Sequence, residues 1–162
     1  MKAFITGHRV ISKSAIAQLD RLIDIAIEHG ANHFFNGMAI GTDQEFAEVL
    51  IQRKLDWTAV IPCVNQGRFW SLEQKARYEK ILLHAPEKIT LATDYYPGCM
   101  QARNKYMANN SNICLAVYDG RLTGGTAGTV KMAIAKGLPI IQLHPVTLQI
   151  STIEPATQLS LL

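Results

Sequence analysis

Cysteine is scarce in this sequence: Cys63, Cys99 and Cys114 lie far apart along the 162 residues. An odd number at such spacing fits neither a disulfide framework nor a zinc site, so we expect a reducing compartment, the cytoplasm, and no bound metal. No apolar run has the length that spans a membrane, and we expect no signal peptide before the first apolar run. We therefore expect neither a membrane partner nor a cofactor.

Charge is also sparse. Asp, Glu, Lys and Arg make up 18% of the residues, and the formal net charge is +3. The sequence has no dense stripe of Lys and Arg of the kind that follows a nucleic-acid backbone. This charge distribution permits a small anionic ligand and argues against nucleic acid as a partner.

Apolar runs with the length of buried strands alternate with helical patterns along most of the chain. The strand-like runs cover 2–6, 32–36, 57–62, 88–93, 113–118 and 138–143, and helical patterns lie between them. This alternation predicts an α/β fold: a Rossmann-like, doubly wound, mostly parallel sheet with helices on both faces. We expect a single domain over 1–162, in which the tail 144–162 adds an edge strand or runs over the surface.

Glycine and threonine dominate the segment after the fifth predicted strand. Bare backbone N–H groups at the start of a helix, together with hydroxyl donors, bind phosphate oxygens. We interpret the segment as a phosphate-binding loop; the alternative is a loop in which the glycines only turn the chain. The four glycines and three threonines are Gly120, Thr123, Gly124, Gly125, Thr126, Gly128 and Thr129.

Three loops follow strands whose carboxyl ends meet at one edge of such a sheet, which is where ligands bind in doubly wound folds. These loops are 7–9, 37–43 and 120–129, and the helix predicted over 100–109 begins on the same side. We therefore predict a ligand site at this edge. Its candidate residues are Thr6, Gly7, His8, Arg9, Gly37, Met38, Gly41, Asp43, Arg103, Asn104, Asp119, Gly124, Gly125, Thr126, Gly128 and Thr129.

Four of these side chains admit two interpretations. Arg9 can clamp a phosphate with two N–H groups or pair with an acid on the surface. Asp43 can accept ribose hydroxyls or cap the following helix. Asp119 can hold a ribose or cap the glycine turn, and His8, with no acidic partner visible in the sequence, fits a loop hydrogen bond better than catalysis.

Five short motifs occur in one order along the chain, and together they resemble the SLOG superfamily. Within it the resemblance is to the YpsA-like branch, related to lonely-guy phosphoribohydrolases and DprA-like proteins. It implies a Rossmann-like fold, a pocket for nucleotides or nucleotide-derived molecules, and a homodimer or higher homo-oligomer. The motifs are I-T-G-H-R (Ile5 to Arg9), G-M-A-I-G-T-D (Gly37 to Asp43), I-P-C (Ile61 to Cys63), M-x-x-R-N-x-x-M (Met100 to Met107) and G-G-T-A-G-T (Gly124 to Thr129).

The chain departs from the lonely-guy pattern at a catalytic position. Arg103 and Met107 match that pattern, but Asn104 replaces its lysine and Met132 stands where its glutamate is expected. Methionine can neither stabilise an oxocarbenium-like state nor activate water. The resemblance therefore favours a protein that senses or sequesters a phosphorylated nucleoside derivative, such as ADP-ribose or cyclic ADP-ribose, for example in phage–host immune signalling.

Two other functions are open at this point. One is a nucleotide N-glycosidase of the lonely-guy type, in which Asp43, Glu45 or Asp119 supplies the carboxylate. The other is single-stranded DNA binding, as in the DprA-like relatives, which the modest charge and the absence of a basic and aromatic stripe in the sequence disfavour.

Overall fold

A computed structural model describes residues 1–155 of the chain. In that range seven strands form one sheet, and helices connect the first six of them. The strands are β1 (Lys2–Gly7), β2 (His33–Asn36), β3 (Trp57–Ile61), β4 (Glu87–Thr90), β5 (Ile113–Val117), β6 (Ile140–Leu143) and β7 (Ile150–Ile153). The helices are α1 (Lys13–Ile16), α2 (Leu19–Glu28), α3 (Thr42–Gln52), α4 (Leu72–Leu83), α5 (Cys99–Asn109) and α6 (Gly125–Ala135).

The strand order confirms the predicted doubly wound α/β fold. Across the sheet the order is β4-β3-β2-β1-β5-β6-β7, and only β7 runs antiparallel to its neighbour. The chain moves outward from β1 to β4 and then returns to the other side of β1 to form β5. Gly7 at the end of β1 pairs with Val117 at the end of β5, so the switch point lies between these two strand ends.

Helices cover both faces of the sheet because successive residues of each buried strand point to opposite sides. Ala3 and Ile5 pack into one apolar cluster, which also contains the buried residues of α2, α3 and α4. Phe4 packs into the second cluster with Met107 of α5 and Val130 of α6. Within residues 1–155 no helix is long and apolar enough to cross a membrane.

Several elements differ in their bounds from the sequence prediction. The first helix, capped at Ser12 as expected, divides into α1 and α2, because the Gln18 amide bonds the Ala15 carbonyl and tightens the turn. Strand β4 covers 87–90 rather than 88–93. Most consequential is α6, which begins at Gly125, so the second half of the predicted glycine loop is the first turn of a helix. The tail adds the edge strand β7, and 156–162 lie outside the described residues.

Candidate ligand-binding cleft

A cleft of about 550 Å³ opens at the carboxyl ends of β1 and β5, at the switch point. Its volume is in the range of pockets that hold small molecules. Three predicted segments meet there: the end of β1, the start of α5 and the start of α6. Of the predicted site residues, it brings together Thr6, Gly7, His8, Arg9, Asp43, Arg103, Asn104, Gly124, Gly125, Thr126, Gly128 and Thr129.

The start of α6 presents free backbone donors to this cleft. Gly124, the residue before the helix, has a φ of 108° and provides no side-chain cap. Across residues 1–155, no acceptor bonds the amides of Gly125, Thr126 or Ala127; the first bonded amide is that of Gly128, which donates to Gly124 O at 3.0 Å. The positive end of the helix dipole adds to these three N–H groups, so this end of α6 favours an anion.

The glycines of α6 are not required by protein packing. Apart from chain neighbours and the backbone of the same helix turn, a Cβ atom added at Gly124, Gly125 or Gly128 would meet no atom of residues 1–155 within 4 Å. Gly125 and Gly128 also have ordinary helical backbone, where alanine is the better helix former. Bare backbone at these positions therefore leaves room for something outside the protein.

Gly37, Met38 and Gly41, three predicted site residues, do not line the cleft. A Cβ atom at Gly41 would lie 2.0 Å from the carbonyl oxygen of Arg9, and one at Gly37 would meet the Arg103 side chain at 2.7 Å. Met38 is fully buried with a φ of 59°, and its amide donates to Asn36 Oδ1 at 2.9 Å. These residues explain how the loop after β2 packs rather than what it binds.

Arg103 joins α5 to that loop from inside the protein. It is only 6% exposed, and its Nη1 donates to Gly37 O at 2.8 Å while Nε donates to Asn104 Oδ1 at 3.0 Å. Gln66 Nε2 donates to the same Gly37 oxygen at 3.1 Å. Nη2 has no acceptor within residues 1–155 and is not fully buried. The two N–H groups of Nη2 therefore remain for a ligand in the cleft.

Asp43 is the carboxylate of the cleft lining. Its Oδ2 accepts the Ala39 amide at 3.1 Å, so it ties the loop to α3, but it does not cap the helix, whose N-cap is Gly41. Burial raises the pKa of Asp43 to about 6, while the nearby Arg103 guanidinium acts to lower it. Asp43 can therefore exist in both protonation states near neutral pH.

His8, Asp119 and Arg121 form a cluster at the rim of the cleft. Asp119 does not line the cleft, but its carboxylate accepts several hydrogen bonds from Arg121: the amide and Nε donate to Oδ1 at 3.1 and 3.0 Å, and Nη2 donates to Oδ2 at 2.7 Å. These bonds hold the pKa of Asp119 well below its usual range. The Asp119 amide donates to His8 Nε2 at 3.1 Å, so His8 makes a hydrogen bond to a loop.

The surroundings of His8 favour its neutral imidazole. Burial lowers its pKa, and the positive charge of Arg121 lowers it further, although the Asp119 carboxylate acts to raise it. Because Nε2 accepts the Asp119 amide, the neutral ring carries its proton on Nδ1. The 3.3 Å approach of His8 Nε2 to Asp119 Oδ1 is therefore a contact between a neutral ring and a carboxylate, not an ion pair.

The threonines of α6 differ in what they can donate. The Thr129 hydroxyl donates to Gly125 O at 2.9 Å, so its proton is engaged within the helix, contrary to its expected role as a phosphate donor. The hydroxyls of Thr123 and Thr126 have no hydrogen-bond partner within the described chain, and both residues line the cleft. Thr126 is the better placed of the predicted donors because it lies in the first turn of α6.

Seven residues of the lining were not among the candidate site residues, although Thr123 belongs to the predicted phosphate-binding loop: Ile5, Ala39, Met100, Gln101, Arg121, Thr123 and Met132. Arg121 could have been found, because a basic residue directly after Gly120 stands between the strand and the glycines. Met100 and Gln101 lie one turn before Arg103 and reach the cleft only because α5 packs against α6. The lining carries Arg9, Arg103, Arg121 and Asp43, and Asp119 pairs with Arg121 at the rim. Arg9 and the free amides of α6 therefore make the cleft suited to an anion.

Comparisons with known proteins agree with this architecture. Residues 6–147 match the model of the YspA SLOG family, which confirms the resemblance found in the motifs. The SPbeta prophage-derived protein YoqJ of Bacillus subtilis (strain 168) is 31% identical over 108 residues, which cover 56% of this chain and 63% of YoqJ. The chain thus spans less than two thirds of that relative.

Two solved structures share the fold at low sequence identity. The DNA processing protein A (DprA) of Streptococcus pneumoniae has a TM-score of 0.69 at 18% identity, covering 91% of this chain and 52% of that protein. DprA of Helicobacter pylori has a TM-score of 0.67 at 18% identity, covering 89% of this chain and 65% of that protein. This chain therefore corresponds to only part of each.

The second of these structures corrects the expectation about nucleic acid. DprA of Helicobacter pylori is described by its single-stranded DNA binding mode. The inference from net charge was therefore wrong: a formal charge of +3 does not argue against nucleic acid as a partner. The physical reason is that phosphate contacts depend on local amides and arginines, such as those of the cleft, and not on the total charge of the chain.

Proposed function

The chain belongs to the YspA SLOG family, and we propose that its cleft binds a phosphorylated nucleoside derivative with a phosphate at the start of α6. The observation that carries this proposal is the combination of free amides at Gly125, Thr126 and Ala127 with open space above Gly124 and Gly125. A phosphate oxygen needs both donors and close approach to the backbone, and this helix end supplies both.

The remaining lining residues suit the rest of such a ligand. Arg9 lines the cleft, where its guanidinium can neutralise a second phosphate of a diphosphate ligand, whereas Arg121 is paired with Asp119. The free oxygen of Asp43 can accept ribose hydroxyls, as acidic residues do in dinucleotide sites. We take ADP-ribose or cyclic ADP-ribose as the preferred ligand because either presents two phosphates together with ribose.

The proposed role is sensing or sequestering such a molecule. The relative YoqJ is prophage-derived, which is the setting in which a protein that removes a host immune signal is useful to a phage. Met132 lines the cleft at the position where the related hydrolases have a glutamate, so this position offers no carboxylate for turnover.

One observation favours hydrolysis as a second candidate function. Asp43 has a pKa of about 6 and lines the cleft, so it is able to give or take a proton near neutral pH. A nucleotide N-glycosidase would use it as the acid or base that acts on the bond between ribose and base. Incubation of the protein with AMP or NAD, followed by chromatography, would show free adenine or nicotinamide, and Asp43→Asn would abolish the release.

Isothermal titration calorimetry with AMP, ADP, ADP-ribose and cyclic ADP-ribose tests the binding proposal, with adenosine as the ligand that lacks phosphate. We expect binding of the phosphorylated ligands at least about tenfold tighter than that of adenosine, since a charged hydrogen bond contributes roughly 1.5–3 kcal/mol. Equal affinity for adenosine and AMP, or no heat with any phosphorylated ligand, would contradict the proposal.

A further inference from the structure

An exposed aromatic surface lies outside the cleft, at the carboxyl ends of β3 and β4. The guanidinium carbon of Arg68 stands 4.4 Å from the centroid of the Phe69 ring and 4.1 Å from that of the Tyr95 ring, so the cation contacts both aromatic faces. Phe69 is 86% exposed and Tyr95 44% exposed. We refer to Arg68, Phe69 and Tyr95 as the aromatic stack.

The two loops that carry the aromatic stack are fixed to one another. The Val64 amide donates to Ala92 O at 3.2 Å, and the Tyr95 amide donates to Asn65 Oδ1 at 3.1 Å. Behind the loop after β3, Trp70 packs edge-on against Tyr78 with ring centroids 5.3 Å apart. The Phe69 ring is therefore carried by an anchored loop and, within residues 1–155, contributes little to the core.

The charge of the aromatic stack is positive and unpaired. Within residues 1–155, no carboxylate lies within 4 Å of a nitrogen of Arg68, whereas the arginines at positions 53, 77 and 121 all have acidic partners. An exposed ring beside an unpaired guanidinium suits a planar, electron-rich group that carries a negative charge nearby. A nucleobase with its phosphate has this chemistry.

The start of α5 follows the aromatic stack closely along the chain. Tyr95 lies five residues before Met100, and Met100 and Gln101 line the cleft. No acceptor within 1–155 bonds the amides of Met100 and Gln101, so a second helix end with free donors lies between the stack and the cleft. The start of α6, the start of α5 and Arg68 therefore each offer a group that can contact a phosphate.

We infer that the aromatic stack is a base-stacking surface for single-stranded nucleic acid, one base lying on the outer face of Phe69 or Tyr95 and the strand continuing to the cleft. This inference rests on the proposed function for the end of the strand that enters the cleft. Stacking on an exposed ring tolerates any base, and free amides and arginines contact phosphates, so binding is expected to depend on bases being present but not on their sequence.

The experiment is fluorescence anisotropy of the full chain with a labelled 12-nucleotide oligothymidine and with an abasic strand of the same length and charge. We expect oligothymidine to bind about tenfold tighter than the abasic strand. Phe69→Ala should remove that preference, and Phe69→Tyr, which keeps the ring, should restore it. Leu72→Ala is the matched control, since Leu72 is 85% exposed nearby but has no ring, and it should bind as the parent chain does.

Each other result has a defined meaning. Equal affinity for both strands, or an unchanged preference in Phe69→Ala, overturns the inference. AMP binding without any oligonucleotide binding leaves the proposed function in place and overturns the base-stacking surface. Oligonucleotide binding that depends on Phe69, without AMP binding, supports the surface and contradicts the proposed function. A parent chain that sediments as a dimer, with Phe69→Ala a monomer and no strand bound by either, would assign the surface to contact between copies instead.

Discussion

Arg103 and Gly37 are joined by a 2.8 Å hydrogen bond from Nη1 to the carbonyl oxygen, across 66 positions of sequence. The bond links α5, on one face of the sheet, to the loop that leads into α3, on the other. It also places Arg103 so that its Nη2 group is left for the cleft, which Asp43 lines as well. A side chain that both supports a loop and lines a cleft makes stability and binding depend on one residue.

Replacement of Arg103 by alanine should lower the free energy of unfolding by about 2–4 kcal/mol, because the buried carbonyl of Gly37 loses its charged donor and Asp43 loses a nearby cation. Arg53→Ala is the control: it removes ion pairs to Asp20 and Asp24 that are largely exposed, and should cost less than about 1 kcal/mol. Urea denaturation measures both, and equal losses would show that Arg103 has no special structural role.

Asp43 should make stability fall as pH rises. Its folded pKa is about 6 against an ordinary value of 3.8, so between these values the folded chain keeps a proton that the unfolded chain has released. The stabilisation is complete below the unfolded pKa and is lost as pH rises through the folded one. Relative to the parent, the free energy of unfolding of Asp43→Asn should therefore rise by about 2–3 kcal/mol between pH 3.5 and pH 7.

Urea denaturation of parent and Asp43→Asn at several pH values gives this difference directly, and the contributions of other titrating groups cancel in it. Asp94→Asn, at an exposed carboxylate, is the control: its free energy of unfolding should change with pH as that of the parent does. A pH-independent difference between parent and Asp43→Asn would mean that burial does not perturb this carboxyl.

Gly125→Pro should test one of the free amides of α6, that of residue 125. Gly125 is the first residue of the helix, where proline is tolerated, and the residue before it has a ψ of 172°, which suits a following proline. Gly125→Pro removes one N–H donor with the helix retained, and AMP affinity should fall about ten- to a hundredfold. Gly125→Ala keeps the N–H and should lose less AMP affinity, and calorimetry of both variants measures the difference. Equal losses of affinity would assign the effect to the bulk of the side chain rather than to the amide.

Gly128 and Gly41 should respond to alanine in opposite directions. Gly128→Ala places a methyl group in open space in a helix and should raise the free energy of unfolding by about 0.5–1 kcal/mol, while that methyl group occupies the cleft and weakens AMP binding. Gly41→Ala forces a φ of 93° on alanine and a clash with Arg9 O, and should cost about 2 kcal/mol or more. Thermal unfolding with and without AMP distinguishes the two; tighter AMP binding by Gly128→Ala would contradict a ligand at α6.

The sequence by itself determined the alternation of strands and helices, the parallel sheet and the edge where the loops meet, because periodicity and turn residues act over a few positions. Of the candidate site, it identified Gly124, Gly125 and Arg103 through motifs that are local as well. It did not reveal Arg121 as part of the lining, nor that Asp119 holds both Arg121 and His8, since His8 and Asp119 are 111 positions apart.

Only the tertiary structure decided what each glycine is for. Gly41 is required by the Arg9 backbone and Gly37 by the Arg103 side chain, whereas Gly125 and Gly128 face empty space. It likewise brought Arg68 and Phe69 against Tyr95, a basic and aromatic cluster that no single stretch of sequence contains. The clearance around a backbone atom and the partner of a side chain depend on segments distant in sequence, and folding alone brings those together.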